Sequence, residues 1–239
     1  MAIFIIPNTG GGTFNGGTLS SGLVLASGTT TTAPLTFASG TNLTTATSGS
    51  IEYDGKVIYT TPAGRGVSPS MMFYRLNSSL AGSNVNTAQS LFGVGVTLAA
   101  STVYAFDSYY VLQKTAGTTS HTIGIGFGGS ATLNNLNYGS LWTRENSAAT
   151  SSSMATFSAF HAFSTSAANL VLTTAITSAA QTFVNRIAGT VSINAGGTFT
   201  PQYTLSAAPG GAYSTISGSY IAIWPIGVAG ANTSVGPWL

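Results

Sequence analysis

From Leu91 onward, apolar residues recur at every second position in run after run. That is the period of a β-strand with one buried face. "LFGVGVTL" (Leu91–Leu98) places Phe92, Val94, Val96 and Leu98 on one side. "VYAFDSYYVL" (Val103–Leu112) is rich in aromatic residues, and "HTIGIGFGG" (His121–Gly129) sets Ile123, Ile125 and Phe127 against a bare face of Gly124, Gly126 and Gly128. Five further runs, "ATFSAFHAF", "NLVLTT", "FVNRIAGTVSIN", "GTFTPQYTL" and "SYIAIWPI", bring the total to about eight to ten short strands. This is the pattern of an antiparallel sandwich or jelly roll. Met71–Leu80 and Ser178–Ile187 could hold a helix, but neither combines length with clear caps. The predicted fold class is all-β.

The first third has another texture, with short extended segments punctuated by glycine. "LVLASGT" (Leu23–Thr29) returns twelve residues later as "LTFASGT" (Leu35–Thr41), which fits a stem of short strands and turns. The strongest local signal is "SIEYDGKVIY". Asp54-Gly55 between β-prone runs predicts a two-residue hairpin turn, with Tyr53 opposite Lys56, Glu52 opposite Val57 and Ile51 opposite Ile58. "TTPAGRGVSP" (Thr60–Pro69) then reads as a linker.

Composition sharpens this picture. Charged residues are 4% of the chain, against about 25% in ordinary soluble domains. Hydrophobic residues reach 44%, so the composition opposes disorder. A formal net charge of +2 without clustered Lys and Arg is no footprint for nucleic acid. There is no cysteine, which excludes disulfides and thiolate chemistry. No apolar run approaches the roughly 18 residues of a membrane helix. "MAIFIIP" lacks the basic and long apolar regions of a signal peptide, so synthesis in the cytoplasm is expected.

Candidate chemistry is sparse. Gly124-Ile-Gly-Phe-Gly is similar to a phosphate-cradling loop, but its glycines alternate inside a strand and no helix follows. Glycine faces more often admit a second backbone closely, and that backbone could belong to another chain. His121 and His161 are the only histidines, too few for a metal site of three or four ligands without symmetry. A hydrolytic triad could draw on His121 and Asp107, yet there is no G-x-S-x-G elbow. A glycosidase pair would have to come from Asp107 and Glu145, because Glu52 and Asp54 belong to the hairpin. Tyr104, Tyr109, Tyr110, Tyr138 and Trp142 could form an aromatic platform for sugars, although aromatics also build β cores. No catalytic residue, metal or cofactor is expected.

"APLTFASGTNLTTATSGSIEYDGKVIYTTPAGRG" resembles a segment recurrent in structural proteins of tailed bacteriophages, especially fibre-like ones. The matching pieces are Leu35–Phe37, Ser39–Thr45, Ser48–Gly55 and Tyr59–Thr61. The chain departs from the usual pattern at Ala46, Thr47 and Ser48, where proline, glutamate and alanine are common. "LAASTVYAFDSYYVLQKTAGTTSHTIGIGFGGSATLNNLNYGS" is similar to the head that follows such modules in marine phage virion proteins, and "IAIWPIGVAGANTSVGPWL" to their closing strand and tail. The resemblance implies a homotrimer with a jelly-roll-like head, comparable with trimeric C1q and tumour-necrosis-factor heads. It brings no catalytic residues.

The expectation is thus a non-enzymatic bacteriophage virion protein, a short trimeric fibre, spike or capsid decoration exposed on the particle. Residues 1–34 would form an attachment arm and the start of a shaft, residues 35–69 a β-hairpin shaft module with its linker, and residues 70–239 the head. Ala2, Ile3, Phe4, Ile5 and Ile6 are the candidate attachment strand to other capsid or tail proteins. Gly124, Gly126 and Gly128 are candidate trimer contacts, and a contact surface of that kind has little use for charge. A receptor-binding tip would place Tyr109, Tyr110, Tyr138 and Trp142 against host surface glycans. A glycan-cleaving tailspike enzyme and an outer-membrane barrel are the rival readings; glycine-rich strand faces oppose the barrel. Neither nucleic-acid binding nor membrane insertion is expected.

Overall fold

The computed structural model describes residues 27–62, 64–68, 70–146, 156–164 and 170–230. The candidate attachment strand, Ala2–Ile6, lies outside them, as does the first repeat copy up to Ala26. The chain divides into two compact units, Met1–Ala38 and Ser39–Leu239. In the described part of the first, the Thr29 hydroxyl accepts from Thr32 N–H at 3.0 Å and caps a local turn. No strand forms there, nor in the second repeat copy, Leu35–Thr41, which corrects the expected stem strands. Leu35 and Phe37 have no strand partner to hold them and stay exposed.

The second unit begins with a small antiparallel sheet of β1 (Ile51–Tyr53), β2 (Ile58–Thr60) and β3 (Gly66–Ser68), in that order. Its register corrects the expected one: Tyr53 pairs with Ile58, Glu52 with Tyr59 and Ile51 with Thr60. The connection therefore has four residues, Asp54 to Val57. A two-residue turn would need positive φ at both Asp54 and Gly55, and Gly55 alone adopts it, at 90°. Instead the Asp54 side chain closes the loop, with Oδ1 accepting from the N–H groups of Lys56 (2.8 Å) and Val57 (2.7 Å). Its Oδ2 accepts from the Tyr59 hydroxyl at 2.9 Å. The "linker" after β2 contributes β3.

Thirteen strands follow, and all of their pairings are antiparallel. They begin with β4 (Met72–Arg75), β5 (Leu80–Ala81), β6 (Gln89–Ser90) and β7 (Val96–Leu98). Next come β8 (Thr102–Lys114), β9 (Ile123–Gly128), β10 (Thr132–Glu145), β11 (Thr156–Ser164) and β12 (Leu170–Val171). The last are β13 (Gln181–Ala195), β14 (Gly197–Leu205), β15 (Ser214–Thr215) and β16 (Tyr220–Val228). The two possible helices are thus strands, because tertiary pairing overrides a weak local pattern. A large sheet runs β11-β10-β13-β8, and β8 then pairs with β16 and β15, which carry β4 and β5 at their outer edges. The second sheet runs β12-β9-β14, with β6 and β7 end to end along the far edge of β14.

Two irregularities have local causes. Gly93 takes a φ of 72° and its N–H donates to the Ser90 hydroxyl, so the run Leu91–Leu98 bends and only Val96–Leu98 pairs. Phe92 is buried while Val94 is exposed, which corrects the single apolar face expected there. Pro201 sits inside β14, but its carbonyl accepts from Leu91 N–H on the β6/β7 side. The N–H that proline lacks would point the same way, into the gap between those two short strands.

The inner faces of the sheets share one core. Phe127 of β9 lies 4.6 Å from Phe199, 5.6 Å from Phe106 and 5.4 Å from Tyr138, centroid to centroid. Offset and edge-on geometries at these spacings add to simple area burial. On β8, Tyr104, Phe106, Tyr110 and Leu112 point inward, and Tyr109 points out.

Candidate functional site

The register of the large sheet builds a two-row grid on its outer face. Leu141, Arg186, Tyr109, Tyr220 and Arg75 stand in one row across β10, β13, β8, β16 and β4. Gly139, Ala188, Asp107, Ala222 and Phe73 form the row beside it on the same five strands. Within the grid Arg186 clamps Asp107 from both ends of the carboxylate, Nε to Oδ1 at 3.1 Å and Nη2 to Oδ2 at 3.2 Å. The Tyr220 hydroxyl donates to Oδ2 at 3.4 Å. The hydrogen bond and charge of Asp107 raise the Arg186 pKa further, and burial followed by the Asp107 charge raises that of Tyr220. At neutral pH the clamp is a closed ion pair beside a neutral phenol.

Beside the clamp runs an aromatic strip. Tyr109 and Tyr220 lie 6.4 Å apart at 28°, and Tyr220 and Phe73 5.5 Å apart at 25°. Phe73 is 57% exposed and Tyr109 38%. On the other side of Arg186, the small residues Gly139 and Ala188 leave a shallow notch of about 300 Å³ against Leu141. A second cavity, of about 190 Å³, opens nearby between Met72, Tyr74, Phe92, Val94 and Ile221. Its lining offers no ionisable group other than a phenol.

The structure divides the residues of the expected aromatic platform. Tyr109 reaches the surface, whereas Tyr104, Tyr110, Tyr138 and Trp142 are buried and cannot touch a ligand from outside. Adjacent strand residues face opposite ways, so Tyr109 and Tyr110 could never have shared a platform. The Tyr110 hydroxyl instead accepts from Asn185 Nδ2 at 2.7 Å, while Asn185 Oδ1 accepts from Ser140 at 2.8 Å. Tyr220 and Phe73, which complete the surface strip, escaped the sequence reading because only strand register brings β16 and β4 beside β8.

The expected glycine face is also filled differently. Gly124 and Gly126 are buried within the single chain, and a Cβ at Gly128 would meet the amide of Gln202 at 2.5 Å. At Gly128 the bare strip is thus filled by a side chain of β14 in the same chain.

The candidate catalytic groups stay apart. Asp107 and Glu145 share the outer face, but Glu145 aligns through Thr182 with Gln113, six residues along β8 from Asp107. That separation is about 20 Å, against roughly 5–9.5 Å between the carboxyls of a glycosidase. His121 is buried, its Nδ1–H donating to Thr119 O at 2.7 Å and its Nε2 accepting from the Tyr213 hydroxyl at 2.9 Å. It has no path to Asp107. His161 lies on β11 against Asn137 Oδ1 at 2.7 Å. Among the described residues no group of three His, Asp or Glu side chains could hold a metal ion, and no helix is long and apolar enough to cross a membrane.

No protein-family model and no curated protein matches the chain. A comparison with solved structures finds a chain in the structure of infectious bursal disease virus Gx strain, at 7% identity and a TM-score of 0.19, covering 74% of this chain. The alignment spans 47% of that viral chain, about half its length. A superposition that weak carries no argument about function.

Proposed function

We propose that the chain is a non-enzymatic structural protein of a bacteriophage virion, a trimeric fibre, spike or decoration exposed on the particle. The observation that carries this reading is the strand order. Set aside the β10–β11 hairpin and the β15–β5 ribbon that extends one end of β8, and treat β6 with β7 as one position. The remaining eight positions in chain order pair as 1-8-3-6 in one sheet and 2-7-4-5 in the other. Positions one to four thus run against eight to five as a long hairpin, and the contacts 8-3 and 7-4 roll it into two sheets. That winding is a jelly roll, an architecture of viral capsid and lectin domains. The phage-fibre resemblance of Leu35–Thr61, whose later part folds as the small sheet before this body, supports the same assignment.

The four carboxylates support a non-enzymatic role. Glu52 pairs with Arg65, Asp54 closes a turn, Asp107 is clamped by Arg186, and Glu145 lies far from Asp107. Attachment to the particle is assigned to Ala2–Ile6. Native mass spectrometry of the purified protein tests the trimer, and a side-chain-resolution reconstruction of particles tests the location. A dominant monomer or dimer at micromolar concentration, or particles without the chain on their surface, would overturn the proposal.

A further inference from the structure

Charge is scarce in this chain, yet Asp107 and Arg186 stand together in the middle of the open grid. We infer that the outer face of the large sheet, centred on Tyr109, Tyr220, Phe73 and the Asp107–Arg186 clamp, binds a neutral oligosaccharide. The rings of Phe73, Tyr220 and Tyr109 are nearly parallel, and their centroid spacings of 5.5 and 6.4 Å are those of offset rings. Phe73 and Tyr109, at the two ends of the stack, are exposed, so the strip offers aromatic surface to a ligand. The C–H face of a sugar ring needs such a surface, and its hydroxyls need paired donors and acceptors at the border. The clamp supplies both: the Asp107 carboxylate accepts, while Arg186, with its side chain 63% exposed, has N–H groups to spare beyond the two that hold Asp107. Because two parallel hydrogen bonds already fix the guanidinium, little side-chain freedom is lost when a ligand arrives.

Length and charge narrow the ligand class. The grid spans four inter-strand steps, about 19 Å, which suits a short oligosaccharide rather than one sugar. The notch beside Gly139 and Ala188 forms the β10 end of that span, past Arg186. Asp107 cancels the charge of Arg186, and Arg75 at the far end is turned to Asn77 Oδ1 at 2.7 Å, so the grid offers no concentrated charge to a sialylated or sulfated glycan. A dry protein contact fits less well, because it would strip water from an ion pair at its centre. The inference is independent of the virion assignment.

The test uses the full chain in its native assembly state on an array of neutral oligosaccharides of glucose, galactose, mannose and N-acetylglucosamine, two to six units long. Sialylated and sulfated glycans serve as comparators, and calorimetry follows with the best-retained hexasaccharide. Neutral oligosaccharides should be retained, longer ones better than disaccharides. Phe73→Ala, Tyr109→Ala and the double variant Asp107→Asn/Arg186→Gln should each weaken binding about tenfold or more. Tyr109→Phe, which keeps the ring, should bind nearly as wild type. Retention of no neutral oligosaccharide, retention of acidic glycans alone, or equal binding by wild type and the alanine variants would overturn the proposal. So would a change of oligomeric state in Tyr109→Ala on native mass spectrometry, which would make the face a chain contact.

Discussion

The three-stranded sheet and the two-layered body are fastened by opposite means. Four of the ten charged residues, Glu52, Asp54, Lys56 and Arg65, lie within fourteen positions of the small sheet. Arg65 reaches Glu52 at 2.9 Å and Leu43 O at 2.6 Å, while Glu52 Oε1 accepts from Leu43 N–H at 2.6 Å. Lys56 Nζ donates to Ala100 O at 2.8 Å and ties the sheet to the body. Three strands of three residues can bury little, here Tyr59 of β2 with its neighbours Val57 and Thr61, so polar clasps do the fixing. The body instead closes on stacked aromatics and aliphatics. There, Lys114 is buried as a charged fastener and donates to the carbonyls of Ala116, Gly117, Ser178 and Ala179. Burial lowers the pKa of its ammonium, and the carbonyls around it take the place of water.

Breaking each region should expose the contrast. The largest effect belongs to Phe127→Ala, which removes the ring shared by both sheets and should cost about 3–5 kcal/mol in chemical denaturation of the body. Lys114→Met should cost about 2–3 kcal/mol, because it leaves carbonyls of two loop segments, Ala116–Gly117 and Ser178–Ala179, without a donor. A drop under half a kcal/mol would show that water replaces the ammonium. Gly55→Val places a β-branched side chain at a φ of 90° and against Ser39, where its Cβ would sit 3.2 Å from the neighbour. It should cost about 1–3 kcal/mol, read as faster hydrogen exchange in β1 and β2 with the melting of the body unchanged. Arg65→Ala should have a smaller effect, under about 1 kcal/mol for a partly exposed pair, seen as faster exchange of the Leu43 amide.

Acid should separate the two regions by window. Burial, assisted by the charge of Lys114, holds the pKa of His121 below its ordinary 6.5. The unfolded chain therefore takes up this proton first. The His121 contribution is complete above pH 6.5 and is lost as the pH falls through the lower folded value. Glu52 is held below its ordinary 4.5 chiefly by the Leu43 N–H, with Arg65 assisting. Its contribution is present above pH 4.5 and disappears only in more acidic solution. Stability of the body should soften first, and His121→Gln should flatten that limb in denaturation curves taken between pH 7.5 and 5. Protection of the Leu43 amide, measured against its intrinsic exchange rate, should fall only below pH 4.5.

The sequence by itself determined the all-β class, the shared face of Ile123, Ile125 and Phe127 in β9, and the paucity of ionisable groups for chemistry. Period-two alternation is local, so it could be read from "IGIGF" without neighbours, whereas the sequence reading groups the adjacent Tyr109 and Tyr110 although a strand turns them to opposite faces. It left the Asp54 loop two residues short, because a carboxylate that accepts two backbone N–H groups competes with the tight turn preferred by Asp-Gly. It could not assign the glycine face either, since Gln202 reaches Gly128 from β14, seventy-four positions away. The candidate site depended on tertiary structure most of all. Tyr109 meets Tyr220, and Asp107 meets Arg186, only when β16 and β13 settle against opposite edges of β8 in one register. A slip of one residue would turn every side chain to the other face. The buried stripe of each strand fixes that register, and the outer grid inherits it.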